Sequence, residues 1–138
     1  MANGKRVLVI DDEDMIRDVI KVILTDAGYQ VIGAVNGEEG LRKLESQDFD
    51  LVITDILMPE KEGVETIIEI KKSRPQMRII AISGGGRASN LYPLKIANKI
   101  GADGTLPKPF EPEDLLKLVH EVIAAPPDTA PFRERASQ

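Results

Sequence analysis

Cysteine is absent from this chain, which excludes a disulfide framework and a thiolate-held zinc. A single histidine, His120, excludes a histidine-rich metal centre. Apolar runs stop at four or five residues, far short of the ~20 that cross a bilayer. No apolar stretch of signal-peptide length follows the charged start Met1 to Arg6, so no secretory leader is read. Positive charge is also in deficit: 18 Lys and Arg face 23 Asp and Glu, for a formal net charge of -5. Non-specific nucleic-acid binding draws its affinity from neutralised phosphates, so this balance argues against direct nucleic-acid contact. A cytoplasmic protein with no membrane insertion is the expectation. The 138 residues suit one domain, which can bury roughly two-thirds of its unfolded surface without a staple.

What is present is an alternation. Val7 to Ile10, Leu51 to Ile53 and Ile79 to Ile82 are continuous apolar runs, the pattern of strands covered on both faces. Gln30 to Ala34 and Gly104 to Leu106 are weaker strand candidates and belong at sheet edges. Between them run helical patterns. Met15, Ile16, Val19, Ile20, Ile23 and Leu24 line one face of a first helix, which Gly28 stops. Asn36 with Glu39 resembles a capping box for a second helix through Leu41 and Leu44. Val64, Ile67 and Ile68 mark a third, and a fourth is expected from about Asn90 to Ile100, with Pro93 in its first turn. The last helix opens at Glu111-Pro112-Glu113-Asp114, with proline near its start and acids at its positive end. Its apolar face is Leu115, Leu116, Val119, Val122 and Ile123. Five strand–helix repeats predict an α/β, doubly wound, five-stranded parallel sheet of order 2-1-3-4-5 with five helices. Residues 1–124 form the expected domain. The Pro/Ala-rich segment 125–138 reads as a disordered tail or cut linker, with no second domain after it.

In open parallel sheets, ligands bind beyond the carboxyl ends of the strands, where strand order reverses. Asp11 and Asp12 end the first strand, Asp55 the third, Ser83 the fourth and Lys108 the fifth. Clustered carboxylates raise one another's pKa unless a cation joins them. A hard divalent ion such as Mg²⁺ is the natural solution, since it uses one or two carboxylates and phosphate oxygens. Asp55 can then be a carboxylate nucleophile that forms an acyl phosphate, with Lys108 and Ser83 contacting the phosphoryl oxygens. Each residue has a plainer reading. Asp12 is a possible N-cap, Asp55 before Met58-Pro59 a turn residue, Ser83 before Gly84-Gly85-Gly86 a loop hydroxyl, and Lys108-Pro109 says little alone. His120 reads as a surface residue. Gly84 to Arg87 lacks the Gly-Lys-Ser/Thr of a Walker motif. The conjunction at four strand ends favours the chemical reading.

Val9-Ile10-Asp11-Asp12, Thr54 to Pro59, Ile82-Ser83-Gly84 and Lys108-Pro109-Phe110 together resemble the receiver domain of bacterial two-component response regulators, in the stand-alone, chemotaxis-regulator-like form. The resemblance spans about Lys5 to Ala124. It implies a flavodoxin-like fold and Asp55 as phosphoacceptor. It implies Mg²⁺ held by Asp12, Asp55 and the Leu57 backbone carbonyl, with Asp11 acting through water, and a cis Lys108–Pro109 bond. The implied donor is a histidine kinase or a His-containing phosphotransfer protein, and the output a downstream protein partner. On this reading the chain is a signalling domain of a phosphorelay and not an enzyme, although it catalyses its own Mg²⁺-dependent phosphorylation and dephosphorylation.

Two departures from the family pattern stand out. Thr105 occupies the place of the usual switch aromatic, with Tyr92 the nearest substitute, and three glycines follow Ser83. The expected output is a population shift. Phosphorylation draws Ser83 toward Asp55, reorders Gly84 to Asn90 and alters the face made by the fourth helix, fifth strand and last helix. Leu57 and Gly85 offer no side chain to orient a hydrolytic water, so slow self-dephosphorylation is expected. Three other readings compete. Asp12-Glu13-Asp14 looks like the nucleophile motif of haloacid-dehalogenase-type phosphohydrolases, but the later acidic pair is missing. A flavodoxin-type FMN binder would need a phosphate loop where this chain has four acids. A receiver-like binding module that is never phosphorylated is the third.

Overall fold

The computed structural model describes residues 4–56, 63–83 and 99–125. Five parallel strands form one sheet: β1 (Arg6–Ile10), β2 (Gln30–Ala34), β3 (Leu51–Asp55), β4 (Ile79–Ser83) and β5 (Gly104–Pro107). Their order is β2-β1-β3-β4-β5. The order follows from hydropathy. β3 and β4 are buried along their whole length, β1 all but its first residue, while β2 and β5 keep exposed positions and lie at the edges.

Four helices are described: α1 (Asp14–Asp26), α2 (Gly37–Ser46), α3 (Gly63–Ser73) and α4 (Pro112–Ala124). The helix expected over about Asn90 to Ile100 lies outside the described residues except at its end, as do Gly84 to Asn90, Leu57, Tyr92 and residues 126–138.

Strand alternation sends successive side chains to opposite sheet faces. Leu8, Ile10, Val52, Ile79 and Ala81 pack with Leu44 of α2 and with Ile67 and Ile70 of α3. Val7, Val9, Ile53, Ile80 and Ile82 pack on the other face with Ile20 and Leu24 of α1 and with Leu115, Val119 and Val122 of α4. Each face thus has its own core, as a doubly wound sheet requires.

The helix ends follow their signals. α1 closes at Ala27, and Gly28 turns the chain at φ 100°, a value that costs glycine no steric strain. Asn36 Oδ1 accepts the Glu39 amide at 2.8 Å, while the Glu39 carboxylate accepts from Val35, one residue outside the usual box. That contact holds the Glu39 carboxyl below its ordinary range. α4 takes Pro112 in its first turn.

Two expectations need correction. Met15 and Val19 stand out at 74% and 43% exposure, because the apolar face of α1 is wider than the sheet it covers. Ile68 is also exposed, and α3 instead buries Thr66, Ile67 and Ile70. His120 lies on the surface, as expected, and its Nδ1 is 2.6 Å from the Tyr29 hydroxyl, tying α4 to the start of β2.

Candidate functional site

The register brings the acids together. Ile10 pairs with Thr54 across β1 and β3, so the next residues, Asp11 and Asp55, are neighbours at the carboxyl edge. Asp11 continues the ladder with its amide on Ala34 O at 3.1 Å. Val9 and Ile53 face the α1/α4 core, and two residues on, Asp11 and Asp55 follow the same alternation. Both are nearly closed to solvent, at 0% and 4% exposure. Asp12 is exposed. It does not cap α1: Glu13 holds that position, without a side-chain cap bond. One carboxylate oxygen from each of Asp11, Asp12 and Asp55 lies within 4.8 Å of the others.

Lys108 completes the cluster from β5's side. Its amide donates to Ser83 O at 2.9 Å, and its bond to Pro109 is cis. The ammonium lies 3.0 Å from Asp55 Oδ2 and 3.3 Å from both Asp11 Oδ2 and Glu13 Oε1. An ammonium has three donors, and here three carboxylates face it. Burial alone would lower the Lys108 pKa; the bonds and charges of Asp55, Asp11 and Glu13 outweigh it and raise the value. Burial pushes the Asp11 carboxyl up to about 6, with a further push from Asp55. The Glu13 amide, 2.9 Å from Asp11 Oδ1, and Lys108 offset only part of that rise. Ser83 is buried at the end of β4, one residue past Ile82, which pairs with Asp55.

The structure therefore brings Asp11, Asp12, Asp55 and Lys108 into one cluster and sets Ser83 at the neighbouring strand end; Leu57 lies outside the described residues. Thr105 is half-buried in β5, paired with Ala81.

Three contributors escaped sequence reading. Glu13 reaches Lys108, a contact hinted at only by its place beside the two aspartates. Arg17 donates to Asp11 O at 2.6 Å and also bonds the Asp14 carboxylate, which fixes the loop from behind. Gly63 lets α3 lie against the end of β3, where an added Cβ would sit 2.2 Å from Asp55 O. No local pattern announces the Arg17 and Gly63 contacts, because each depends on where the first turn of a helix lies against a strand end.

Hard oxygen donors at this spacing suit a divalent cation of the Mg²⁺ type. The buried carboxylate of Asp55, beside an ammonium, suits attack on an electrophile whose negative charge that ammonium can neutralise.

Comparison with known proteins gives the lineage. The family model for the response regulator receiver domain matches residues 7–120. The chemotaxis protein CheY of Thermotoga maritima is 39% identical over 120 residues, 86% of this chain and 98% of that protein. A CheY-like response regulator receiver domain protein from Methanospirillum hungatei superposes with a TM-score of 0.80 at 37% identity, covering 87% of this chain and 94% of the other. The response regulator protein TrrA from Thermotoga maritima, solved in complex with Mg²⁺-BeF, gives a TM-score of 0.73 at 36% identity, over 86% and 98% of the two chains. With this sheet order and this match over most of its length, the chain belongs to the response regulator receiver domain family.

Proposed function

We propose that this receiver domain, residues 1–124, accepts a phosphoryl group on Asp55 from a phosphohistidine donor. The donor is a histidine kinase or a His-containing phosphotransfer protein. One observation carries the reading: the Lys108 ammonium bridges Asp55 and Asp11 at 3.0 and 3.3 Å, with the Asp12 carboxylate in the same cluster. A cation-neutralised buried carboxylate is what aspartyl phosphorylation needs.

Asp11, Asp12 and Asp55, with the Leu57 carbonyl, would hold Mg²⁺, and TrrA's complex with Mg²⁺-BeF supports that assignment. Mg²⁺ supplies charge neutralisation on the phosphoryl oxygens when bound. An Asp55 carboxylate oxygen bonds to phosphorus as the P–N bond to the donor imidazole breaks, and the electron pair leaves with the imidazole. Lys108 moves its hydrogen bond from the Asp55 carboxylate to a phosphoryl oxygen. Ser83 offers a hydroxyl to another oxygen. Output follows as a population shift in which Ser83 approaches Asp55 and the face beside β5 and α4 changes, altering the binding of a protein partner. The phosphoryl group moves that equilibrium only by its different contacts in the two states. The setting is expected to be cytoplasmic; no described helix is long and apolar enough to cross a membrane.

The test is intact-mass spectrometry after incubation with Mg²⁺ and a small acyl phosphate. The native chain should gain one phosphoryl mass. Asp55→Asn, and the native chain with Mg²⁺ chelated, should not. No gain in the native chain, or an equal gain in Asp55→Asn, overturns the reading.

A further inference from the structure

Glu13 is not needed to build the cluster, yet it touches it. Its carboxylate is 61% exposed and lies 3.3 Å from Lys108, on the solvent side of the buried Asp11 and Asp55. A divalent cation and Lys108 together carry three positive charges, which match Asp11, Asp12 and Asp55. Among the described residues at the cluster, Glu13 is a fourth carboxylate beyond that balance.

An incoming phosphodonor is an anion and must pass this charge to reach Asp55. The Glu13 carboxylate also draws on the ammonium that the phosphoryl oxygens need. Both effects slow attack by small, highly charged donors, and both are electrostatic. A partly exposed charge at this range is screened by salt, since the Debye length is about 8 Å at physiological ionic strength.

Resting on the phosphoacceptor reading above, we propose that Glu13 is a specificity-determining residue that discriminates against phosphodonors by their negative charge. It disfavours free acyl phosphates relative to donors whose leaving group carries less charge. The chemistry is unchanged: an Asp55 oxygen bonds to phosphorus while the P–O bond to acetate, or the P–N bond to ammonia, breaks, and the leaving group keeps the electron pair.

The experiment measures phosphorylation rates of the native chain, Glu13→Gln and Glu13→Asp at saturating Mg²⁺. Acetyl phosphate serves as the dianionic donor and phosphoramidate, with its protonated nitrogen, as the donor of lower net charge. The Glu13 side chain makes no cap bond, so Gln should not disturb α1. Glu13→Gln should react about three- to tenfold faster with acetyl phosphate at low salt, a gain set by one charge acting across a few ångströms of wet surface. The gain should be smaller with phosphoramidate and should shrink in high salt. Glu13→Asp keeps the charge and should stay near the native rate. An equal gain with both donors, a salt-independent gain, no gain, or Glu13→Asp matching Glu13→Gln would each overturn the proposal. If the native chain takes phosphate from neither donor, it is the phosphoacceptor reading that fails.

Discussion

Among the described residues, Asp11 has a carboxyl held far from its ordinary range. Burial raises its carboxyl from 3.8 to about 6 in the metal-free chain. The sign of the linkage follows. A group whose folded value is raised contributes stability that is full below its unfolded pKa and lost as pH rises through the folded pKa. Here the contribution is full below 3.8 and is lost through about 6. Glu39, with its lowered value, acts in the opposite sense and only below 4.5. Between pH 5 and 7.5, without Mg²⁺, the native chain should therefore lose about 1 kcal/mol relative to Asp11→Asn. Urea unfolding of both proteins across that range measures it, and a constant difference contradicts the account. The same burial predicts that Mg²⁺, if it binds here, competes with protons, since both compensate a carboxylate that solvent cannot reach.

Elements position the site through close approach. The first turn of α3 lies against the end of β3, where a Cβ on Gly63 would meet Asp55 O at 2.2 Å and Ile56 Cα at 2.3 Å. Backbone atoms cannot swing aside. On α2, a Cβ on Gly40 would meet only side-chain atoms below 3 Å, Cδ1 of Ile10 at 2.4 Å and its Cγ1 at 2.9 Å, which can shift where backbone cannot. Gly63→Ala should thus cost about 2–3 kcal/mol and Gly40→Ala less, despite the better helix propensity alanine brings to both. The ordering is the test: a costlier Gly40→Ala in chemical denaturation would mean that the α3–β3 approach is not the tighter one. The elements themselves were largely legible. Three apolar runs, a capping pair and two helix faces gave the strands, their order and most of the helices, because burial on both sheet faces leaves a plain mark in hydropathy. Met15, Val19 and Ile68 were misplaced for the converse reason: an apolar residue at the rim of a helix face satisfies the period whether or not a neighbour covers it.

At the scale of the whole molecule, the site exists only because strands far apart in sequence end side by side. Asp11, Asp55 and Lys108 were readable as members of one cluster because sheet order 2-1-3-4-5 sends their strand ends to one edge. Glu13 and Arg17 were not, because the meeting of the start of α1 with the strand ends leaves no period in the sequence. Assembly of the cluster also makes a global prediction. If Asp12 is a metal ligand, Mg²⁺ at a hundred times its Kd should stabilise the native chain by ~2.7 kcal/mol. Most of that gain should vanish in Asp12→Asn, an exposed substitution that leaves the core intact. Thermal unfolding with and without Mg²⁺ reads this out, and an equal gain in both proteins would remove Asp12 from the ligand set. If Asp55 is the phosphoacceptor, the phosphoryl group bonds to it and to no other acid of the cluster. Borohydride converts an aspartyl phosphate to homoserine, so reduction of the phosphorylated chain followed by peptide mass mapping locates the bond. Homoserine is expected at Asp55, with Asp11 and Asp12 unchanged; homoserine at Asp11 or Asp12, or at no position, would contradict phosphorylation of Asp55.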